Sequence, residues 1–393
     1  MTSAQSRLVI VVLGLTQILA WGSSFYLLSV LAPSIAGETG WSSSLVLGGL
    51  SIAMLVAGLI SPRIGAAIHR TGGRPVLAAS SVLFALGLAS LSLSTSAAAY
   101  LASWGLIGFA MGAGLYDPAF ATLGRHFGHS ARRMITAVTL FGGFASTVCW
   151  PLSAYLLESF GWRTTCAAYA VLHLCIGLPS YLLLLPKRPP DLQKTFQSTS
   201  PSIAPLSVER QLVAQILLGA TFSIGALILS MVSAHLLVLL QTRGLDLASA
   251  VAFGALIGPS QVGARVLEIT IGRRIHPLWT MFTGLALVDV GVAVLWTNLP
   301  VLSLALIIYG AGNGIASIVR GTVPLVLFGP GRYAVLMGRL GLPILLAMAL
   351  APSLGALLME AGGAALIFLF LNSIATLNVV LCVILIHWCR RRY

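Results

Sequence analysis

Hydrophobic positions along this chain come in long unbroken runs rather than with the period of two or 3.6 that marks a half-buried strand or helix. Crossing the hydrocarbon of a bilayer takes roughly 20 apolar residues per helix. Twelve runs meet that length, near 8–31, 43–63, 75–95, 98–122, 134–158, 164–185, 212–240, 247–271, 278–297, 300–326, 340–360 and 364–388. Most of the polar connections between them are short, as antiparallel neighbouring helices require. The exception is 186–211, rich in Pro, Ser, Gln and charge, which reads as a linker. The pattern predicts an all-α membrane protein, with a six-helix bundle over 1–185 and another over 212–393. The first run follows Arg7 and is too long for a signal-peptide core, so it is expected to remain as a span.

Composition agrees: 58% of the 393 residues are hydrophobic and only 8% charged, against about 25% charged in soluble chains. The formal charge of +13 would suggest nucleic acid in a soluble protein, but here the cations sit in the loops between runs. With the N-terminus in the cytoplasm, eighteen of the 22 Lys and Arg residues fall in inner loops and tails. Only Arg163 and Arg243 fall in outer loops, and Arg265 and Arg320 lie inside spans. Inner loops collect positive charge, so both termini are expected in the cytoplasm and no nucleic-acid partner is expected. The five cysteines show neither CxxC nor Cys/His ligand spacing, and the lone His173 and His235 have no companions at metal spacing.

Sliding the chain against itself by 202 residues aligns Gly108 and Gly112 with Gly310 and Gly314, Pro75 with Pro277, and Arg63 with Arg265. Small-xxx-small spacing is common packing chemistry in membranes, but a linker at the midpoint favours duplication. Parallel halves of this kind enclose a solute site near the midplane, reached from each side in turn.

The segment between the second and third runs reads Gly65-Ala-Ala-Ile-His69-Arg70-Thr-Gly72-Gly-Arg74-Pro75. It resembles the signature loop of the major facilitator superfamily at Gly65, Arg70, Gly72 and Arg74, while His69 stands where that family usually has Asp. The resemblance implies two pseudo-symmetric six-helix bundles. It assigns His69, Arg70 and Arg74 to a gate. Gly40-Trp41-Ser42, Pro62 and Gly161-Trp162-Arg163 resemble the monocarboxylate and oxalate/formate branch more closely. That branch commonly carries a basic residue in the eighth span, where Arg265 lies, but its frequent Lys in the eleventh is missing. The drug-antiporter branch has an Arg early in the fourth span, where Trp104 stands here, and a Gly-Pro in the fifth, where Trp150 precedes Pro151.

Ionisable groups within spans need a partner, a watery cavity or a function. Arg320 lies among the small residues Gly312, Gly314 and Gly321. A guanidinium there suits a carboxylate, and snorkelling to the interface is the competing role. Arg265 and Glu268, three residues apart, share a helix face, so they serve either the solute and gate or each other. Asp117 precedes Pro118, which loosens the helix; it is a candidate proton carrier or a gate salt bridge. Asp289 is mid-span on a helix expected at the periphery, where capping or packing suits it better. Gln17, Trp21 and Tyr26 make the first run unusually polar, and Gln261 and Asn313 are amides in the eighth and tenth. Each alone can be explained by helix–helix hydrogen bonding; converging on one cavity they would bind a solute.

These residues point to a secondary transporter of a small organic anion, with proton coupling as an option. It is expected as a monomer in the lipid bilayer of a bacterial inner membrane. The same fold would suit an exporter of drugs, metabolites or toxic oxyanions. A non-transporting sensor or enzyme is the reading from another class, against which stand the missing nucleophile–base pair, metal cluster, phosphate loop and soluble domain. No cofactor and no metal are expected.

Overall fold

A computed structural model of the protein describes residues 3–186, 208–270, 275–297 and 301–390. Most of the linker 186–211 therefore lies outside the described residues, as do Lys187, Arg188, Lys194, Arg273, Arg274, Arg391 and Arg392 among the loop cations. Among the described residues every regular element is helical, and nine helical stretches are long and apolar enough to cross a bilayer. Two of them, Ala131–Leu184 and Tyr333–Cys389, run to 54 and 57 residues, about twice what one crossing needs. Each is two spans joined by a glycine reversal, at Gly161 (φ 78°, ψ 168°) and at Gly362 with Gly363 (φ 65°). The eighth span is in two pieces, Leu247–Gly254 and Ile257–Thr270, each too short to count alone. Pro259 explains that break, because it has no N–H to give the carbonyl of Ala255, four residues earlier. With these three accounted for, the helices match the twelve expected runs.

Spans begin on side-chain caps. Ser42 accepts from the Leu45 N–H at 3.3 Å, Ser96 from Ala99 at 3.2 Å, and Asp246 from Ser249 at 3.1 Å, each satisfying an orphan amide of a first turn. Those bonds hold the exposed Asp246 carboxyl below its ordinary range. The second span runs over Ser43–Thr71, farther than its apolar run, so His69 and Arg70 sit in its last helical turn and Gly72 alone makes the corner. Basic side chains suit the negative end of a helix, which explains the extension.

Residue contacts divide the chain into two compact units. One comprises Met1–Thr195 with Gly329–Leu342, the other Phe196–Phe328 with Pro343–Tyr393. Within the first, a Cβ on Gly108 would lie 2.5 Å from the Ala53 carbonyl and one on Gly112 3.0 Å from that of Ala57, so spans two and four touch backbone to backbone. Within the second, a Cβ on Gly310 would lie 2.8 Å from the Ile257 carbonyl, and one on Gly314 would overlap Gln261. The glycines aligned by the repeat thus seat the equivalent helix pair in each unit.

Arg163 and Arg243, the two loop cations that the sequence pattern sets apart from the basic loops, have a shared role. Arg163 donates to the carbonyls of Ser92 (3.1 Å) and Ser94 (2.7 Å) at the end of the third span. Arg243 donates to those of Thr297 (3.0 Å) and Leu295 at the end of the ninth. A cation on a helix C-terminus meets unsatisfied carbonyls and the negative end of the dipole. Their place outside the basic loops follows from that capping.

Candidate functional site

In the first unit the polar centre begins with a proline. Pro118 cannot donate to the Gly114 carbonyl, and the fourth span breaks there into Ala97–Gly114 and Tyr116–Phe127. The side-chain amide of Gln17, at 0% exposure, fills the vacant place and donates to that carbonyl at 2.7 Å. Its oxygen accepts from the Trp21 indole at 3.2 Å, one turn on. The first span then breaks as well, ending at Gly22 and resuming at Leu27.

At these two breaks aromatic rings gather. Trp21 packs on Tyr116 with centroids 5.0 Å apart and on Phe25 at 5.6 Å, and Tyr26 meets Trp150 of the fifth span edge-on at 6.0 Å. Trp21, Phe25, Tyr26 and Tyr116 are half-buried and Trp150 exposed, so the group offers ring faces rather than a sealed core. Beside it the buried Ser23 hydroxyl is 2.8 Å from Nε2 of His173, whose ring stacks on Phe84 at 4.5 Å. His173 opens a π-helical turn, His173–Gly177. The sixth span thus holds a wide turn at the histidine and a second over Ser180–Leu184, a feature frequent at functional sites.

Of the residues singled out from sequence in this unit, the structure brings Gln17, Trp21 and Tyr26 together. Tyr116, Trp150, Phe25 and His173 join them without having been singled out for the site. Asp117, 7% exposed, lies elsewhere, where a Cβ on Gly341 would come within 3.2 Å of its carboxylate. His69 is flanked by Arg125 and Arg332. Arg74 donates to the Leu182 carbonyl, and Arg70 is exposed at the helix end.

In the second unit Arg265 is 5% exposed. Its guanidinium donates to the Gly314 carbonyl of span ten and to the Gln261 side chain one turn back, each at 3.4 Å. The close approach permitted by Gly314 is what brings that carbonyl within reach. Asn313, buried on the same helix, donates to the Tyr309 carbonyl at 3.1 Å. Arg320 is half-buried, and both it and Glu268 are engaged with neighbours. Asp289 stands apart and accepts from the Thr376 hydroxyl at 3.0 Å.

Comparison with known proteins bears on this arrangement. A family model described as Major Facilitator Superfamily matches residues 13–273. Monocarboxylate transporter 13 of Rattus norvegicus is 30% identical over 297 residues, covering 72% of this chain and 66% of that one. Monocarboxylate transporter 11 of Mus musculus is 34% identical over 131 residues, covering 33% and 27%. The chain thus matches just under two thirds of the first relative's length and about a quarter of the second's. Among solved structures, the human organic anion transporter MFSD10 (TETRAN) superposes with a TM-score of 0.74 at 20% identity, over 97% of this chain and all of that one. FucP in its outward conformation does so with a TM-score of 0.73 at 12% identity, over 98% of each. Identities this low speak for the fold alone. The chain belongs to the Major Facilitator Superfamily as a multi-pass membrane protein and is distantly related to the monocarboxylate transporters.

Proposed function

We propose that the protein carries a small organic anion across the membrane by alternating access. The observation that carries this reading is the Arg265 guanidinium, buried in the seam between spans eight and ten. A cation so placed is retained against a steep desolvation penalty. Arg320 adds a second cation on span ten, and the only carboxylate on those two helices among the described residues is Glu268. A positive balance inside the bilayer favours an anionic solute, and a planar guanidinium forks onto a carboxylate. Distant kinship with transporters named for monocarboxylates supports the same class.

In this reading Arg265 and Arg320 hold the carboxylate, aided by Gln261 and Asn313. Trp21 and Tyr26 offer ring faces to a solute, with Gln17 holding Trp21 in place. Asp117, Glu268, His69, Arg70 and Arg74 serve gating and coupling, with protons as the coupling ion. The bundles 1–185 and 212–393, joined by the linker 186–211, work as a monomer in a bacterial inner membrane, with both termini cytoplasmic. The test is uptake of radiolabelled monocarboxylates into liposomes holding the purified protein, with and without an imposed pH gradient. Carboxylate uptake that disappears in Arg265→Gln supports the proposal.

A second reading, export of drugs or other amphipathic compounds, draws on the aromatic group around Trp21. Ring faces of Trp and Tyr attract cations as well as apolar bodies. In the same liposomes, extrusion of a cationic dye with no carboxylate uptake would replace the first reading by the second.

A further inference from the structure

Three stretches of the first unit converge where its basic residues gather: the end of the second span, the end of the fourth, and Gly329–Leu342. They meet closely. A Cβ on Gly65 would lie 2.5 Å from the Ala334 carbonyl and 2.9 Å from the Gly338 Cα. The Tyr333 ring leaves no room for a Cβ on Gly124. This packing brings the guanidiniums of Arg125 and Arg332 together with the imidazoles of His69 and His126. The charges of Arg125 and Arg332 both act on His69, and that of Arg125 acts on His126, which is 6% exposed.

Two atoms of this group are buried with no hydrogen-bond partner in the protein, Nε of Arg125 and Nδ1 of His126. A buried polar group left that way costs about 1–3 kcal/mol, more when it is charged. No carboxylate among the unit's described residues answers them. Among its described residues the acids are Glu38, Asp117 and Glu158. Glu38 is bound to Trp162 and Arg163 at the opposite ends of the helices, and Glu158 lies beside the same reversal. Asp117 is eight residues before Arg125 on one helix, about 12 Å deeper.

We propose that His69, Arg125, His126 and Arg332 form a binding site for a phosphate-type oxyanion, which supplies a negative charge that the described residues of the unit do not. The chemistry fits the donors. Guanidinium groups make short charge-assisted bonds to phosphate oxygens, and an imidazole N–H beside a guanidinium can donate to the same group. The phosphate has two sources, the headgroup of an anionic phospholipid and inorganic phosphate from water. Basic clusters at a membrane surface attract the first. Because the four side chains come from three separate stretches, the bound anion ties Gly329–Leu342 to the ends of spans two and four.

The test is thermal unfolding of the full-length protein at one fixed pH, in detergent and in bilayers. In detergent, inorganic phosphate should raise Tm beyond sodium chloride of equal ionic strength, as a ligand of the folded state does. Two variants probe the site without depending on one fold outcome. His69→Asp places a carboxylate among the cations and should weaken the phosphate response roughly tenfold or more while keeping Tm at or above that of the parent. Arg332→Gln, at an exposed position, should weaken it likewise. In bilayers, phosphatidylglycerol in place of phosphatidylcholine should raise Tm and abolish the phosphate response if the headgroup is the occupant. A phosphate response that survives phosphatidylglycerol makes free phosphate the occupant. The proposal is overturned if neither anion stabilises the parent beyond the salt control, or if both variants respond as the parent does.

Discussion

Gln17 of the first span donates its side-chain amide to the backbone carbonyl of Gly114 in the fourth, across 2.7 Å. That carbonyl is vacant because Pro118 stands where its helical donor would be. The second unit repeats the device with other residues. Pro352 deprives the Met348 carbonyl of its donor, and the Ser230 hydroxyl of the seventh span takes the place at 2.9 Å. In hydrocarbon a freed backbone carbonyl has no water to turn to, so a side chain of a neighbouring helix answers it. Replacing Gln17 by Leu leaves both the carbonyl and the Trp21 indole without their partners. Loss of about 1–3 kcal/mol of stability is expected, read as a lower Tm in detergent with a changed Trp emission. A Leu variant as stable as the parent would remove the bond from the account of the helix break.

Much of the fold is legible in the chain because the bilayer imposes a length on every apolar run. Glycine marks the reversals at Gly161 and Gly363 openly. The repeat is also legible, and its glycines prove to be the points where backbones touch. What the runs do not reveal is where a span breaks internally. Hydrophobicity is continuous through Leu115 and through Ala255, and only the proline a few residues later signals the loss of a bond.

The Gly314 contact tests how packing positions chemistry. A Cβ there would overlap the Gln261 backbone and part spans eight and ten, moving the carbonyl that Arg265 reaches. Gly314→Ala is expected to lose about 1–3 kcal/mol and most transport together. Gly263→Ala, with open space around it, is the control and should differ by only a few tenths of a kcal/mol. Equal behaviour of the two variants would remove the seam from the mechanism.

The candidate site was only half legible. Gln17, Trp21 and Tyr26 stand out because polar residues are rare in the first run. Tyr116 and Trp150 do not, since each shares its run with several other aromatics, and aromatics also suit packing against lipid. Their meeting depends on the two helix breaks facing each other. His173 finds Ser23 150 residues away, a distance that no local pattern reports. Pro118 was the available signal, since a proline in a span marks a carbonyl in need of a partner.

The two arginines separate by substitution. Arg265→Gln and Arg320→Gln should each remove anion-dependent stabilisation and uptake, weakening binding by roughly 30-fold or more, as losing one partner of a buried charge pair costs about 2–5 kcal/mol. Lysine at either position keeps the charge but not the planar fork, so partial function is expected. Arg320 variants that transport normally would leave Arg265 alone as the anion's partner and return Arg320 to an interfacial role.

Topology has its own check. Tags at both termini should be shielded from impermeant labels in intact cells and become reactive on lysis, if the basic loops face inward as positive charge in membrane loops generally does. Labelling from outside would reverse the assignment.

Asp117 separates coupling from closure. It is buried, with Gly341 beside its carboxylate, in the stretch where Gly329–Leu342 packs on the second and fourth spans. Asparagine keeps the size of the side chain and its hydrogen-bonding capacity but cannot take up or release a proton. If Asp117 carries the coupled proton, Asp117→Asn should lose accumulation driven by a pH gradient while keeping exchange of labelled for unlabelled anion, because exchange needs no net proton movement. If Asp117 instead holds the helix ends together, exchange and accumulation should fall in the same proportion, with a lower Tm. The ratio of the two rates, measured in one liposome preparation, distinguishes the roles even when the variant is less abundant, since protein amount cancels from it.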